Sequence, residues 1–108
     1  MEGKERPRLV IEIAQLPVAP GREVEFERAM VRGREILENA PGSGEIKILR
    51  GVESPSTYVL LVEWESVEQH HAAVEEDSFL EFRELLRGFY EDKPVVQHFA
   101  PPAGPGLG

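Results

Sequence analysis

The fold is decided by the stretch TYVLLVEWESVEQH, which occupies residues 57–70. Its first nine residues are rich in aromatic and β-branched side chains and predict a strand over 57–65. Ser66 follows directly and Gln69 comes three residues later, which is the pattern of a capping box at the start of a helix. The predicted helix runs to about Val74. A strand that passes directly into a capped helix therefore sets the framework for the rest of the chain.

The chain before this stretch predicts a strand, a helix and a second strand. Residues 9–16 have the alternation and β-branched content of a strand, and a proline follows directly. A helix is predicted from Pro20-Gly21 to about Asn39, with apolar or small residues recurring at spacings of three and four: Phe26, Met30, Gly33, Leu37 and Ala40. Residues 45–51 predict the second strand.

The chain after this stretch adds a further helix and a last strand. Ser78 and Glu81 have the spacing of a second capping box. The helix that they predict carries an apolar stripe of Phe79, Phe82, Leu86 and Phe89. Pro94 ends this helix, and residues 95–100 predict the last strand. The resulting order, β-α-β-β-α-β, is that of the α+β ferredoxin-like fold, with a four-stranded antiparallel sheet and its first and third strands central.

Both faces of the third strand are apolar. One face carries Tyr58, Leu60, Val62 and Trp64, and the other carries Val59 and Leu61. An antiparallel sheet with one solvated face normally alternates apolar with polar residues. The helices can cover only one face, so we expect the second face to pack against another subunit. The sequence therefore predicts a homodimer.

Composition restricts the classes of protein and of site. The 108 residues suffice for one domain, predicted over 9–100, between polar and Pro/Gly-rich tails at 1–8 and 101–108 that we expect to be disordered. The 20 acidic and 12 basic side chains give a net charge of −8, which argues against a nucleic-acid or anionic membrane partner. Cysteine is absent, which excludes thiolate chemistry and disulfides. No apolar run suits a signal peptide or membrane span, so a cytoplasmic location is expected.

The three histidines are the first candidates for chemistry. His70 and His71 are neighbours on a helix and point about 100° apart, so they cannot bind one metal ion together. Glu68, His71 and Glu75 share a helix face, as in half of a carboxylate–histidine iron site. Only one half is present, and a solvated face is the simpler interpretation, so no metal site is predicted. His98 has no partner at an informative spacing and is interpreted as a sheet or interface residue.

Trp64 and Arg83 are the other candidates. Trp64 lies on the strand face of Leu60 and Val62, and packing in the core is the simplest interpretation. Arg83 lies one position away from the apolar stripe of the last helix. Its guanidinium group either reaches into water along the helix flank or points at an anionic or oxygen-rich ligand between helix and sheet. The residues alone leave both arrangements open.

The chain resembles the antibiotic biosynthesis monooxygenase family over about residues 9–99. The resemblance is carried by Pro20-Gly21-Arg22-Glu23-x-Glu25-Phe26, Glu53-Ser54-Pro55-x-x-Tyr58, Glu63-Trp64-Glu65-Ser66-Val67-Glu68-Gln69-His70, and the spacing from Ser78 into the final helix. It implies a dimeric α/β barrel in which two ferredoxin-like sheets face each other. It also implies a pocket between helices and sheet, where a small aromatic or quinol-type compound is oxidised by molecular oxygen without a cofactor.

The resemblance also implies which residues form the site. Trp64 matches a tryptophan at the end of the third strand, and Arg83 matches an arginine of the last helix. A family asparagine corresponds to Leu60, an aromatic hydroxyl group to His70, and a strand tyrosine approximately to Leu49. His70 could act as a base or polarise a carbonyl group. The implied catalytic residues are Trp64, His70 and Arg83, and the implied substrate-binding residues are Leu49, Leu60, Phe79 and Phe82. The alternative is a non-catalytic barrel that binds a small ligand or serves in stress.

Overall fold

A computed structural model describes residues 9–106 of the protein. Its elements are β1 (Val10–Pro17), α1 (Glu23–Glu38), β2 (Ser43–Arg50), β3 (Thr57–Trp64), α2 (Val67–Val74), α3 (Asp77–Leu86) and β4 (Val95–Phe99), with a short 3-10 helix at Arg87–Phe89. The predicted ferredoxin-like order is confirmed, with α2 and α3 as two separate helices between β3 and β4.

The predicted tails lie largely at the limits of the described chain. The segment 1–8 and the last two residues of the segment 101–108 lie outside the described residues. Residues 101–106 are exposed and form neither helix nor strand. Within residues 9–106, no helix combines the length and the apolar character needed to cross a bilayer.

The four strands form one antiparallel sheet in the order β2-β3-β1-β4, which confirms the central positions of the first and third strands. β1 pairs along its whole length with β3, from Val10 opposite Trp64 to Pro17 opposite Thr57. The other edge of β1 pairs with β4 and places His98 opposite Glu12. Residues that are far apart in the sequence are thereby brought side by side on one face.

The inner face of the sheet packs against the helices and forms the core. The four residues that the sequence places on one face of β3 are all buried, namely Tyr58, Leu60, Val62 and Trp64. The buried residues of α1 are Phe26, Met30, Gly33, Ile36 and Leu37. Gly33 permits a close approach to α3, because a Cβ atom at this position would lie 3.2 Å from Cε1 of Phe82.

The outer face of the sheet carries an apolar patch, and no helix of residues 9–106 packs on it. Ile11, Ile13, Val59 and Leu61 are half-buried there. Leu49 and Phe99 retain 53% and 47% of their accessible surface. This face is the one that the sequence predicts to be covered by a second subunit.

The two predicted capping boxes have different outcomes. Oγ of Ser66 accepts a hydrogen bond from the backbone N–H of Gln69 at 3.0 Å, so Ser66 caps α2 as predicted. Ser78 lies inside α3, which begins at Asp77 after an extended Glu76 without a side-chain cap. Glu81 instead accepts two hydrogen bonds from the Arg32 guanidinium, at 2.8 and 3.0 Å. The predicted box at Ser78 is wrong because α3 begins one residue earlier, so Ser78 is a helical residue and not the N-cap.

Candidate functional site

A cavity of about 670 Å³ lies between α3 and the inner face of the sheet. Most of its wall is apolar and is formed by Ala14, Leu16, Leu60, Val74, Phe79, Leu80, Phe82, Leu86, Pro94 and Val96. The polar side chains of the wall are Glu12, His70, Arg83, Glu84, Arg87 and Tyr90. An apolar cavity of this size with a few polar groups is typical of sites for small organic molecules.

Glu12 is a buried carboxyl group in the cavity wall, with only 6% of its surface exposed. It lies in β1, where strand alternation turns it to the same face as Ala14 and Leu16. Its Oε1 atom accepts a hydrogen bond from Nε1 of Trp64 at 2.9 Å. Burial raises the pKa of Glu12, and the hydrogen bond from Trp64 opposes part of that rise.

His70 lies on α2, and its ring stacks on Trp64 with ring centroids 4.8 Å apart and planes 12° from parallel. Its Nε2 atom lies 3.4 Å from Oε1 of Glu12. Its Nδ1 atom lies 2.7 Å from Nε2 of His98. Burial, followed by the charges of His98 and His71, lowers the pKa of His70 to about 4. The ring is therefore neutral at pH 7, and its contact with Glu12 is polar but not an ion pair.

Glu12, Trp64, His70 and His98 together form one contact chain, which we call the buried polar cluster. His98 is a sheet residue, as the sequence predicts, but its contacts were not predicted: strand pairing places it opposite Glu12, and its ring contacts His70. Sequence reasoning also missed Glu12. The alternation of β1 is the signal that could have found it, because it sets a carboxyl group among the inward-facing residues.

The predicted site residues are only partly brought together. Five of the seven line the cavity, namely Leu60, His70, Phe79, Phe82 and Arg83. Trp64 is fully buried and contacts Glu12 and His70 without lining the cavity. Leu49 is on the outer face of β2 and does not line the cavity. The reason is strand alternation, which turns Ile48 and not Leu49 toward the core.

Arg83 and Tyr90 supply further polar groups of the cavity wall. Arg83 is exposed, and its guanidinium carbon lies 5.8 Å from the ring centroid of Phe79. Among residues 9–106 no carboxylate forms an ion pair with Arg83, whereas Arg87 pairs with Glu84 at 3.3 Å. Burial raises the pKa of Tyr90 to about 12, so its hydroxyl group stays protonated and can donate a hydrogen bond.

No group of three or more histidine, aspartate or glutamate side chains in residues 9–106 is arranged to hold a metal ion. Glu68, His71 and Glu75, which share one helix face, are all exposed. The arrangement in the cavity is thus one of proton-transferring and hydrogen-bonding groups: a carboxyl, an imidazole, a phenol and a guanidinium.

A family model described as antibiotic biosynthesis monooxygenase matches residues 9–85. The chain belongs to this family. The uncharacterized protein YczJ of Bacillus subtilis (strain 168) is 35% identical over 92 residues, which are 84% of this chain and 97% of YczJ. The family that the motifs around Trp64 indicated is thereby confirmed.

Solved structures of similar proteins agree with the family and the fold. A protein from Bordetella bronchiseptica in the antibiotic biosynthesis monooxygenase group superposes with a TM-score of 0.81 and 32% identity, over 85% of this chain and 95% of that chain. SnoaB from Streptomyces nogalater, a cofactor-independent oxygenase, has a TM-score of 0.72 and 22% identity, over 93% of this chain and 97% of that chain. At this identity the likeness to SnoaB is one of fold.

Proposed function

We propose that the protein is a monooxygenase that oxidises a small aromatic or quinol-type compound with molecular oxygen, and that no cofactor takes part. The observation that carries the proposal is the buried polar cluster, which brings Glu12 and His70 to the wall of an otherwise apolar cavity. Membership in the family supports it. Further support comes from SnoaB, which shares the fold and is described as a cofactor-independent oxygenase.

The reaction begins when the substrate loses a proton to the polar wall. A phenol, or a methylene group beside an aromatic ring, then becomes an electron-rich anion that can pass an electron to dioxygen. For a methylene substrate the balance is R₂CH₂ + O₂ → R₂C=O + H₂O, so one oxygen atom enters the product and the other leaves as water. A bound aromatic compound displaces water from the apolar walls, which strengthens the interaction of the anion with nearby polar groups.

Each part of the cavity has a role in this scheme. Leu60, Phe79 and Phe82 contact the rings of the substrate. Arg83 places a positive charge where the deprotonated substrate carries its negative charge. Trp64 does not reach the cavity and serves by holding Glu12 in place. The substrate is therefore bound mainly by apolar contacts and oriented by a small number of polar ones.

Oxygen uptake tests the proposal. The protein, treated with a chelator, is given a panel of anthrones, hydroquinols and catechols, and uptake is compared with spontaneous oxidation of each compound. We expect saturable uptake with at least one compound. Arg83→Ala and His70→Ala should each lower kcat/KM by about tenfold, equivalent to about 1.4 kcal/mol.

Arg28→Ala is the matched control, because Arg28 is an exposed arginine of α1 and does not line the cavity. This variant should retain the wild-type rate. The proposal fails if no compound is consumed, or if turnover is indifferent to both cavity substitutions. Saturable binding of the same compounds without oxygen uptake would instead identify the protein as a non-catalytic ligand-binding barrel.

We also propose that the protein is a homodimer that buries the outer face of the sheet. The apolar outer residues support this, since Leu49 and Phe99 remain about half exposed in the single chain. Light scattering should give twice the chain mass of 12.1 kDa. Leu61→Glu should produce monomers, whereas Val24→Glu, at an exposed position of α1, should not. A wild-type monomer at micromolar concentration would contradict this proposal.

A further inference from the structure

We infer that Glu12 is the catalytic base that takes the proton of the substrate, and that His70 is a positioning residue that acts through Glu12. The inference rests on the proposed function, because it names the base of that reaction. It differs from the interpretation of the sequence, in which His70 could act as a base or polarise a carbonyl group.

His70 has little to offer a ligand directly, because both of its ring nitrogens face protein atoms. Nδ1 lies 2.7 Å from Nε2 of His98, and Nε2 lies 3.4 Å from Oε1 of Glu12. One face of the ring is stacked on the indole of Trp64. A ligand in the cavity therefore meets carbon atoms of His70 unless the buried polar cluster comes apart.

Glu12, in contrast, has an oxygen atom without a protein partner. Oε1 accepts the hydrogen bond from Trp64 and is the atom that His70 approaches. Within residues 9–106, no group donates a hydrogen bond to Oε2. Native proteins rarely leave a buried carboxyl oxygen without a donor. Because Glu12 is more than nine-tenths buried and lines the cavity, a hydroxyl group of a bound compound is the donor that this oxygen fits.

The two histidines explain how Glu12 is held. A neutral His70 that accepts a hydrogen bond from His98 at Nδ1 carries its own proton on Nε2. Nε2 then lies 3.4 Å from Oε1 of Glu12 as a polar neighbour, and the hydrogen bond from Trp64 holds the same oxygen atom. In this arrangement His98 sets the tautomer of His70, and His70 in turn helps to position the carboxylate.

The electrostatic surroundings favour Glu12 as a proton acceptor. Burial raises its pKa, which makes its carboxylate a stronger base than that of an exposed glutamate. His70 is neutral and so does not place a full positive charge beside it. The other titratable or charged groups that face the cavity or the cluster are His71 of α2, Arg83 and Glu84 of α3, Arg87 and Tyr90 after α3, and His98 of β4.

The step itself is a simple proton transfer. The O–H bond of the substrate breaks, its electron pair stays on the substrate oxygen, and the proton binds to Oε2 of Glu12. No electron is transferred in this step, and the oxidation by dioxygen follows it. The substrate class is accordingly a small aromatic compound with an acidic hydroxyl group.

A binding experiment tests the inference without requiring turnover. The probe is 4-nitrophenol, whose neutral and ionised forms absorb at different wavelengths, titrated with pH in the presence of excess protein. The wild-type carboxylate accepts a hydrogen bond and should raise the pKa of the bound probe by about one unit. Glu12→Gln keeps an acceptor for Trp64 but turns an amide N–H donor toward the cavity, so it should lower the pKa of the probe.

Glu84→Gln is the control for charge, because it removes one negative charge from the same cavity wall at an exposed position. It should preserve the wild-type direction of the shift. The inference is overturned if Glu12→Gln shifts the pKa of the probe in the same direction as the wild type, or if the wild type shows no saturable binding of the probe. Circular dichroism of each variant verifies that the fold is intact.

Kinetics provide the second test. Glu12→Gln should lower kcat by about 100-fold or more, which is the usual contribution of a general base. His70→Gln should cost about tenfold and move the acidic limb of the pH–rate profile to higher pH, since a donor to the Glu12 carboxylate is lost. If both variants lost the same factor in kcat and the acidic limb of the pH–rate profile stayed in place, His70 and not Glu12 would be the base. Absence of oxygen uptake by the wild type would contradict the proposed function. The titration of 4-nitrophenol would still test the role of Glu12, because it does not require turnover.

Discussion

Replacing Trp64 with phenylalanine isolates the energy that the indole contributes through Glu12. The substitution removes the Nε1–H donor that lies 2.9 Å from Oε1 of Glu12. Trp64 is fully buried and Glu12 is 6% exposed, so bulk water has little access with which to replace the lost donor. The phenyl ring remains large enough to occupy most of the space beside His70. The main loss is therefore one hydrogen bond and the second ring of the indole.

The magnitude follows from these two losses. A hydrogen bond to a charged group contributes about 1.5–3 kcal/mol to stability. The lost apolar burial and the space left behind add about 1–2 kcal/mol. Trp64→Phe should therefore lower the free energy of unfolding by about 2.5–5 kcal/mol, out of the roughly 5–15 kcal/mol that is typical of a domain.

A double-mutant cycle separates the two contributions. Glu12→Met removes the carboxyl group that Trp64 serves, so Trp64→Phe in that background should cost only the packing contribution of about 1–2 kcal/mol. The coupling energy between the two positions should then be about 1.5–3 kcal/mol.

The four proteins are compared by urea unfolding followed by circular dichroism, at one fixed protein concentration because association would add to stability. A coupling energy below about 0.5 kcal/mol would refute the reasoning, since it would mean that the two side chains act independently.

Three further predictions concern the surroundings of the site. Gly33→Ala should change the free energy of unfolding by less than about 1 kcal/mol, because the gain in helix propensity offsets the crowding against Phe82. The same substitution should weaken the binding of aromatic compounds, because the Phe82 ring moves into the cavity. A loss of stability above about 3 kcal/mol in thermal unfolding would show that the ring cannot move. Ser66→Ala should cost about 1 kcal/mol in urea unfolding through loss of the α2 cap, and an unchanged midpoint would contradict that role. His70 has its pKa lowered from 6.5 to about 4 in the folded protein, so its contribution to stability is lost as the pH falls from about 6.5 to 4. The raised pKa of Glu12 has the opposite effect and increases stability as the pH falls. The measurement is therefore the difference in unfolding free energy between wild type and His70→Gln at each pH. Parallel curves for the two proteins would disprove the lowered pKa of His70.

The sheet was predictable because burial follows a period of two along the strands. The period of two in β3 placed Tyr58 and Trp64 on one face, and the order of elements then placed β1 and β3 at the centre. Ser66 was equally accessible, because a cap involves only the next turn of the chain. The capping box predicted at Ser78 was wrong because α3 begins at Asp77, and Glu81 binds Arg32 of another helix, a contact that no local pattern reveals.

The site was less predictable because its contacts are distant in sequence. Trp64 and Glu12 are 52 positions apart, and His70 and His98 are 28 apart. The resemblance to the family indicated Trp64 and His70 one at a time but did not pair them with Glu12 or His98. Leu49 was expected in the cavity wall but lies on the outer face of the sheet. A shift of one residue in the alignment of a strand exchanges the inner and outer faces. Register, which only the folded sheet fixes, therefore decides what lies in the cavity.

The stacking of Trp64 on His70 makes the protein its own optical reporter. The chain contains a single tryptophan, so all indole fluorescence arises from one ring, placed between an imidazole and a carboxyl group. Protonation of either neighbour changes the electric field on that ring, and a compound entering the cavity touches both neighbours. Emission intensity and wavelength should therefore follow compound binding and the titration of this cluster in solution, without any attached label.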